Sequence, residues 1–499
     1  MRIRLIAGVT ALMLILASLS VLASCSPAAD NTPGAADTAA AAAAETTAVE
    51  PAETELRDNL PERDFNGKEM VFAVYPDNIE DILVEAETGD VCNDAVFRRN
   101  MLVEERFNVK IVATTPSASM YNWYDDIVKL VMAGDDTFHV GGHYAYMLYK
   151  AVNNRIYQDW HQCDYIDFDA SWWCKEINDS STINGKLYGI VGNLGMSLLQ
   201  YTVAFYYNVR MAENYGHLPA DFYEMVRSST WTFDVFSKMV SEMYIDVNGD
   251  SIRNNGDIFG WTMITSSIYD IWQNAFNLPF TGRDKDGKIT LNYMTEKRQA
   301  ALERMVDFYS NNPGVFKYTE KPIQTDWLWT EGAFFAAGLQ VFNAGPVMAP
   351  YKIFREMEDP YGILPLPKWD EAQEGYYTYL NDRHTVWGIP ITTTEYEFIG
   401  IITEALACES LKSVYPAFFD VALKSKYSED ADTAEMIDIV MAGRQFDVAF
   451  TFGETNSVFC NLPYIFRDLC KANSTDLASK YASIEDKILA NLEGLYELY

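Results

Sequence analysis

The sequence predicts an α/β protein built from two lobes, and three observations support this fold class. The chain has 499 residues, of which 49% are hydrophobic and 22% are charged, a composition typical of globular proteins. Because a single hydrophobic core stops growing beyond about 250 to 300 residues, this length indicates two lobes. Strand and helix patterns alternate along the chain, which favours a mostly parallel sheet in the first lobe.

The charge balance excludes one class of partner. Acidic residues outnumber basic residues by 71 to 38, giving a net charge of −33, so phosphate backbones and anionic lipid surfaces are repelled. We therefore expect no nucleic-acid partner. The 31 tyrosines and 11 tryptophans suit a flat, hydroxylated ligand, but they are equally typical of core packing.

The N-terminus predicts export. Arg2 and Arg4 precede the apolar segment 5–22, which is typical of a signal peptide spanning 1–24. The small residues before Cys25 resemble the bacterial lipobox, and this resemblance implies that the Cys25 thiol is lipidated. The alternative is an uncleaved membrane anchor. Segment 25–57 is rich in Ala, Thr, Pro and acidic residues and is predicted to be a disordered tether.

Six cysteines remain after Cys25, and they show no CxxC spacing. An even number of cysteines outside the cytoplasm permits disulfides, whereas buried free thiols fit equally well. Their scatter argues against a metal–thiolate site. The six are Cys92, Cys163, Cys174, Cys408, Cys460 and Cys470.

The elements follow from hydrophobic periodicity in chain order. The first lobe begins with a strand, a helix, a second strand and a second helix, and later segments alternate in the same way. The tail from Thr403 onward is predicted to be mainly helical. The predicted strands are Glu69 to Val74, Asn108 to Ala113, a strand near Phe138 and His139, Val203 to Asn208, Tyr361 to Pro367 and Ile389 to Ile391; the helices cover Phe97 to Phe107, Tyr124 to Met132, Trp231 to Met239 and Met305 to Tyr309.

Six fragments follow one another along the chain: Asn184 to Ile190 (NGKLYGI) leading to Val203 to Asn208 (VAFYYN), Thr230 to Asp234 (TWTFD), Gly362 to Asp370 (GILPLPKWD), and Tyr415 to Lys426 with Met436 to Val440. Taken in this order, they resemble the extracellular solute-binding proteins of bacterial ABC importers, of the sugar-binding type carried as lipoproteins. The resemblance implies a periplasmic-binding-protein type II fold, with two α/β lobes joined by hinge-crossing strands. It also implies a ligand in the interlobe cleft and delivery to an ABC permease.

The predicted lobe boundaries follow from this resemblance. Lobe 1 is assigned residues 58–195 and 384–445, and the helix-rich lobe 2 is assigned residues 196–383 and 446–499. Two lobes joined by a hinge allow a ligand that contacts both of them to shift the population toward a closed state.

An acidic segment has the spacing of a calcium loop. Counting Asp246 as position 1, oxygen-bearing side chains of Asn248, Asp250 and Asp257 fall at positions 3, 5 and 12, and Ile252 offers a carbonyl at position 7. Ser251 replaces the usual turn glycine, and an aspartate replaces the usual terminal glutamate. The sequence predicts either a structural Ca²⁺ site or a plain acidic loop.

Catalytic motifs are weak or absent. Gly282 to Lys288 has phosphate-loop glycine spacing, but Ile289 replaces the metal-binding Ser or Thr, and an exposed hairpin turn at Asp286 and Gly287 is the preferred interpretation. Neither a GxSxG nor an HExxH pattern occurs. We therefore expect a non-catalytic protein.

A sugar site needs aromatic faces for stacking and planar polar groups for hydroxyls. We expect such residues at the ends of predicted strands in lobe 1, after the acidic loop in lobe 2, and near the crossing strands. The nine candidates are Tyr75, Asp77, His143, Tyr144, Trp261, Tyr269, Trp272, Asn343 and Trp387.

Together these observations predict a monomeric, lipid-anchored binding protein that captures a carbohydrate, an oligosaccharide by preference, on the outer face of the cell membrane. The alternatives are a secreted carbohydrate-active enzyme or surface lectin, and a peptide-binding importer component.

Overall fold

The computed structural model describes residues 56–117, 122–264, 267–323, 330–422, 431–453 and 457–498. Residues 56–499 belong to one compact unit. The predicted signal peptide, Cys25 and nearly all of the tether lie outside the described residues, as do residues 423–426 of one resembling fragment. Within the described ranges, no helix has both the length and the hydropathy required to cross a bilayer.

Sixteen strands occur in the described ranges. They are β1 (Lys68–Val74), β2 (Val109–Thr114), β3 (Val140–Tyr144), β4 (Tyr157–Gln158), β5 (Val203–Asn208), β6 (Tyr244–Ile245), β7 (Ile258–Phe259), β8 (Trp261–Met263), β9 (Thr281–Arg283), β10 (Ile289–Leu291), β11 (Val315–Lys317), β12 (Phe342–Pro346), β13 (Tyr361–Leu364), β14 (Thr378–Tyr379), β15 (Thr385–Pro390) and β16 (Arg444–Gln445).

Nineteen α-helices occur in the same ranges. They are α1 (Val91–Phe107), α2 (Trp123–Met132), α3 (Leu148–Asn153), α4 (Lys175–Ser181), α5 (Ser197–Gln200), α6 (Val209–Asn214), α7 (Pro219–Arg227), α8 (Phe233–Glu242), α9 (Ser267–Ala275), α10 (Glu296–Asn311), α11 (Thr330–Ala336), α12 (Ala349–Lys352), α13 (Tyr396–Glu409), α14 (Tyr415–Ala422), α15 (Ala431–Ala442), α16 (Val448–Thr451), α17 (Ile465–Lys471), α18 (Leu477–Ala482) and α19 (Glu485–Leu498).

The first lobe is organised around a five-stranded sheet of order β2-β1-β3-β15-β4. Strands β2, β1 and β3 are parallel, and β15 returns antiparallel to β3, with Trp387 opposite Gly142. The expectation of a mostly parallel sheet is confirmed for the first three strands. The returning strand predicted at Ile389 is also confirmed, because β15 is inserted between β3 and β4.

Local sequence explains the connection from β1 to β2. The Asp90 side chain accepts hydrogen bonds from the backbone N–H groups of Cys92 and Asn93 and so caps the start of α1. Asn108 ends the helix in the left-handed region, with φ of 47°. The chain then enters β2, whose alternate residues Val109 and Ile111 are buried.

The second lobe contains a three-stranded antiparallel sheet of order β12-β5-β13. Its core is aromatic: the Phe205 ring lies 5.7 Å from Trp261 and 5.2 Å from Phe236. Helix α15 packs on β13 of this sheet, although its residues fall inside the range 384–445 assigned to lobe 1. The remaining lobe boundaries stay predictions.

Two chain segments cross between the sheets side by side. An isolated bridge joins Ile190 to Trp387, and another joins Thr202 to Leu380. Segment 190–202 therefore leaves the first sheet beside segment 380–387, which enters it. This is the hinge-crossing arrangement expected from the resemblance. Residues 187–190 form only this bridge, because the crossing segment pairs at single points.

Two smaller predictions are confirmed and one question is answered. Asp284 to Gly287 turn between the antiparallel strands β9 and β10, as the hairpin interpretation requires. The chain from α13 to α19 is mainly helical. All six cysteines after Cys25 are free thiols, and five of them are buried.

Candidate ligand-binding site

Polar and aromatic side chains meet at the carboxyl ends of β1 and β3. Tyr75 and Asp77 follow β1, and Tyr144 ends β3. The Tyr144 hydroxyl donates a hydrogen bond to Asp77 Oδ2 at 2.8 Å, and the rings of Tyr75 and Tyr144 lie 4.5 Å apart. Ligands of open α/β sheets bind outside this edge. Three of the nine candidates are therefore brought together where the fold places ligands.

The segment that precedes β15 lies across these strand ends. The backbone N–H of Ala145 donates to the carbonyl of His384 at 3.0 Å, which holds the segment against β3. The Arg383 guanidinium lies 5.5 Å from the Tyr144 ring, and the Tyr146 ring stacks on Tyr144 at 5.8 Å. A cation and three tyrosine rings thus share one surface.

The adjacent Asp382 connects this surface to the second lobe. The Tyr464 hydroxyl donates to Asp382 Oδ2 at 3.1 Å, and the Arg467 guanidinium lies 4.3 Å from the Tyr464 ring. Arg467 Nη1 in turn donates to Asp270 Oδ2 at 2.9 Å. These contacts form a continuous row from the first sheet to α9 and α17. We call it the polar row: Asp77, Tyr144, Arg383, Asp382, Tyr464, Arg467 and Asp270.

Electrostatics in the polar row are nearly balanced, because three carboxylates face two guanidinium groups. Burial raises the pKa of Asp270 to about 7, while Arg467 opposes this shift. Asp270 Oδ1 is buried and has no hydrogen-bond partner. Burial also raises the pKa of the Tyr144 phenol, so its hydroxyl stays protonated at neutral pH. The row offers both donors and acceptors without a strong net charge.

His143 points to the other face of β3. It is fully buried, its ring stacks on Tyr157 at 5.6 Å, and Nδ1 lies 2.9 Å from the carbonyl of Tyr144. Burial lowers the pKa of His143 to about 4, so the ring is neutral at pH 7. Its position indicates core packing behind the site.

Three predicted tryptophans lie in the cores. Trp261 and Trp272 are fully buried against the Phe205 and Phe236 cluster. Trp387 is also fully buried, and its ring lies so close to Gly142 that a Cβ added there would come within 2.4 Å of it. The expectation of stacking faces is corrected for these rings: their faces are covered, because the indoles fill the largest spaces between packed elements.

The last two candidates are buried near α9 and β12. The Tyr269 ring is 2% exposed and packs 4.7 Å from Tyr309. Asn343 is 1% exposed, and its Oδ1 accepts a hydrogen bond from Gln340 at 3.1 Å. Tyr269 directly precedes Asp270 in the chain, so it adjoins the polar row, whereas the partner of Asn343 is Gln340, which lies outside that row.

Sequence reasoning missed five members of the polar row. Asp382 and Arg383 stand just before β15, which begins at Thr385, whereas the strand was predicted only from Ile389 onward, too late in the chain to identify them. Asp270 lies in an apolar helix, where a lone carboxylate is a detectable anomaly. Tyr464 and Arg467 lie in the helical tail, and no local pattern distinguishes them from other helix residues.

The acidic loop adopts a tight turn. Asp246 accepts hydrogen bonds from the backbone N–H groups of Gly249 and Ser251, both at 2.7 Å. Ser251 has φ of 60°, so it adopts the left-handed conformation that the turn position requires despite its side chain. Asp257 accepts from the N–H groups of Val247 and Asn254. The carboxylates are thus oriented by the loop backbone.

Over the described ranges, only Asp58, Cys408 and Glu409 bring His, Cys, Asp or Glu ligand atoms from three residues within 4.8 Å of one another. There, Arg106 pairs with Asp58 and Lys412 pairs with Glu409, so cations already balance the acidic groups. The carboxylates of Asp246, Asp250 and Asp257 do not converge to that distance, and Ca²⁺ binding there requires a local adjustment.

No protein-family model matches the chain, and no curated protein matches it. Solved structures do match. UgpB from Mycobacterium tuberculosis in complex with glycerophosphocholine has a TM-score of 0.53 and 13% identity, covering 86% of this chain and 98% of that one. An ABC substrate-binding protein from Listeria monocytogenes in complex with cycloalternan has a TM-score of 0.51 and 11% identity, with coverage of 86% and 98%.

A third match is the galacto-N-biose-/lacto-N-biose I-binding protein of the ABC transporter from Bifidobacterium longum in complex with lacto-N-biose. It has a TM-score of 0.50 and 11% identity, covering 86% of this chain and 99% of that one. At such identities a likeness establishes the fold. The chain therefore has the two-lobe fold of the solute-binding proteins of ABC transporters.

Proposed function

We propose that the protein binds a carbohydrate, an oligosaccharide by preference, at the polar row and delivers it to an ABC permease. The observation that supports this most is the row itself, which joins the strand ends of one lobe to α9 and α17 of the other. Carboxylates and guanidinium groups form paired hydrogen bonds with vicinal hydroxyls, and the tyrosine rings of the row offer apolar surface. Two of the matched structures are described as complexes with cycloalternan and lacto-N-biose.

The balance of charges favours a neutral ligand. Arg383 and Arg467 are both surrounded by acidic or phenolic groups of the row, so neither is left over to neutralise a phosphate or a carboxylate. A hydroxyl left unpaired in a closed cleft costs about 1 to 3 kcal/mol. A ligand rich in hydroxyls therefore benefits from a row in which donors and acceptors alternate.

A thermal-shift screen tests this proposal. A soluble form starting at Leu56 is mixed with mono- and oligosaccharides and, separately, with short peptides. A ligand at 100 times its dissociation constant adds about 2.7 kcal/mol of stability, so the melting temperature rises for at least one glycan. A shift with peptides alone overturns the carbohydrate assignment. Release of a chromophore from an aryl glycoside favours the alternative of a carbohydrate-active enzyme.

The membrane anchor is a separate proposal. We propose that Cys25 is lipidated after cleavage of segment 1–24 and that the protein is held on the outer face of the cell membrane as a monomer. The basic residues, the apolar segment and the small residues before Cys25 support this. Labelling of cells with a palmitate analogue should mark the wild-type protein, whereas Cys25→Ser should be unlabelled. Labelling of the variant would contradict the assignment.

Calcium at the acidic loop is likewise a proposal. Asp246, Asn248, Asp250 and Asp257 provide hard oxygen ligands, and Ile252 provides a carbonyl. The spacing of these oxygens along the chain supports the proposal, and a bound ion would draw the carboxylates together. Millimolar Ca²⁺ should raise the melting temperature of the wild type but not that of Asp250→Asn. Equal shifts for both proteins would leave the loop as an acidic turn.

A further inference from the structure

Three buried side chains join the two crossing segments to the start of the first lobe. They are Asp81, which ends the short 3₁₀ helix Pro76–Asp81 after β1, Ser197 in segment 190–202, and Thr385 at the start of β15. Each of the three residues is no more than 3% exposed. We call this cluster the hinge node.

The hydrogen bonds of the hinge node are reciprocal. Asp81 Oδ1 accepts from the backbone N–H of Ser197, and Asp81 Oδ2 accepts from the Thr385 hydroxyl, both at 2.9 Å. The Ser197 hydroxyl donates to Thr385 Oγ1 at 2.9 Å and accepts from the backbone N–H of Thr385 at 3.1 Å. One carboxylate therefore binds both crossing segments, and the two segments also bind each other.

The Thr385 hydroxyl has no hydrogen-bonding capacity left. It donates to Asp81 and accepts from the Ser197 hydroxyl and from Asn78 Nδ2, the last at 2.8 Å, which uses its one donor and both lone pairs. Because these groups are buried, breaking any one of the bonds leaves a polar atom without a partner, which is unfavourable. A satisfied buried network of this kind favours a single arrangement of its members.

A buried arginine ties the same parts of the chain together. Arg99 of α1 is 1% exposed, and its guanidinium donates to the backbone carbonyls of Asp81 and Leu194, both at 3.1 Å. Leu194 belongs to segment 190–202, so this contact is independent of the hydroxyl groups of the node. The chains also approach closely, because a Cβ added at Gly195 would come within 2.6 Å of Asp81 Oδ2.

Two short stretches of chain connect the hinge node to the polar row. Asp77 of the row lies in the same 3₁₀ helix as Asp81. Arg383 of the row stands two residues before Thr385, and its carbonyl accepts from Asn78 Nδ2 at 3.4 Å. A displacement of Asp77 or Arg383 is therefore passed to the node through a few covalent bonds.

We propose that Asp81 and Thr385 are positioning residues of the hinge, which make both crossing segments move together with Asp77 when a ligand binds the polar row. This inference rests on the proposed function, because it concerns the response of the same site. The buried node side chains act through Asp77 and touch no ligand themselves. A ligand shifts the equilibrium between two lobe arrangements only if its contacts differ between them, and the node links such contacts to the hinge.

Hydrogen exchange of the full-length protein, followed by mass spectrometry without any ligand, tests the hinge node. The amides of Ser197 and Thr385 are bonded to side chains of the node, so their exchange reports on it directly. Thr385→Val removes the hydroxyl at nearly constant volume, and we expect exchange in peptides covering 190–202 and 380–390 to rise about tenfold. Thr385→Ser keeps the hydroxyl and should exchange as the wild type does. The sheet of β12, β5 and β13 should be unchanged in both variants.

Three outcomes would overturn the node. They are unchanged exchange of the crossing segments in Thr385→Val, equal increases in Thr385→Val and Thr385→Ser, and an increase spread evenly over the chain. If Thr385→Val fails to fold, Gly195→Ala takes its place, because it sets a methyl group against the Asp81 carboxylate without removing any hydrogen-bonding group. It should raise exchange in the same two peptides, and unchanged exchange there would be equally decisive.

The coupling to the polar row is measured in the same way. Asp77→Ala alters the ligand-facing side of the 3₁₀ helix, and we expect it to raise exchange in peptides 190–202 and 380–390 of the wild type. In the Thr385→Val or Gly195→Ala background it should add nothing, because coupled residues have non-additive effects. Additive effects would overturn the coupling. None of these measurements uses a ligand, so failure of the carbohydrate proposal appears separately, as a sugar screen without a melting shift.

Discussion

Aromatic residues behave differently in two regions of the molecule. At the carboxyl ends of β1 and β3, the Tyr144 hydroxyl is paired with Asp77, and its ring neighbours Arg383. In the second lobe, Phe205, Phe236 and Trp261 pack ring against ring with no exposure. Tyrosine suits a binding site because its hydroxyl can stay hydrogen-bonded at the edge of a sheet, whereas the larger apolar rings fill the core.

The largest effect is expected for a substitution in the aromatic core of the second lobe. Trp261→Ala should lower the free energy of unfolding by about 3 to 5 kcal/mol, because it opens a cavity among rings that cannot collapse fully. Denaturant titration measures the change, and Trp261→Phe is the milder control. If Trp261→Ala lost ligand binding while keeping its stability, the ring would belong to the site after all.

The pH dependence of stability tests the buried carboxylate of the polar row. Burial raises the pKa of Asp270 from 3.8 to about 7, so the folded protein holds this proton more tightly than the unfolded chain does. The contribution is fully present below about pH 4 and is lost as pH rises through about 7. We expect Asp270→Asn to remove on the order of 2 kcal/mol of this decline between pH 4 and 7, measured by urea titration at several pH values.

Glu404 must be considered in the same experiment, because burial also raises its pKa to about 7 while Trp172 and Trp173 donate to it. The loss of stability with rising pH that Glu404 causes persists in Asp270→Asn. This variant therefore flattens the profile of stability against pH only in part. Asp250→Asn, on the exposed acidic loop, is the matched surface control. An unchanged profile in Asp270→Asn would contradict the assigned role of burial.

Two tyrosine variants, one at the strand ends and one in the core, test whether the Tyr144 hydroxyl contributes to glycan binding. Tyr144→Phe removes a hydroxyl that is bonded to Asp77, and Tyr157→Phe removes a buried hydroxyl that has no partner. We expect Tyr144→Phe to weaken glycan binding about tenfold, equivalent to about 1.4 kcal/mol, and Tyr157→Phe to leave it unchanged. Equal losses in calorimetry would indicate a general packing effect.

The smallest expected effect concerns the far end of the polar row. Tyr464→Phe removes the hydrogen bond to Asp382, which remains partly exposed to water. The net loss in stability should be about 0.5 to 1 kcal/mol, as for a typical hydrogen bond. Thermal melting of this variant beside Tyr481→Phe, whose hydroxyl bonds to Glu485 in the tail, separates an effect of the row from a local one. A loss above 2 kcal/mol would imply that Tyr464 supports more than this bond.

The amino-acid sequence was sufficient to predict the fold class, six of the sixteen strands that the structure describes, four of its helices and the helical tail, and three residues of the strand-end surface. Periodic burial places β1, β2 and β5 almost at their observed bounds, and the turn residues Asp286 and Gly287 predict their hairpin. Tyr75, Asp77 and Tyr144 follow from the rule that ligands bind at strand ends, because that rule needs only local elements and their order.

Which side chains meet depends on the packing of segments that are distant in the chain. Asp270, Asp382 and Arg467 lie far apart in the chain, and the contact between α9, α17 and the crossing segment brings them into one row. The same packing covers Trp261, Trp272 and Trp387, because an indole is as suitable for a core as for a ligand. Local sequence patterns indicate which roles a residue can have, whereas its neighbours in the folded protein determine which role it has.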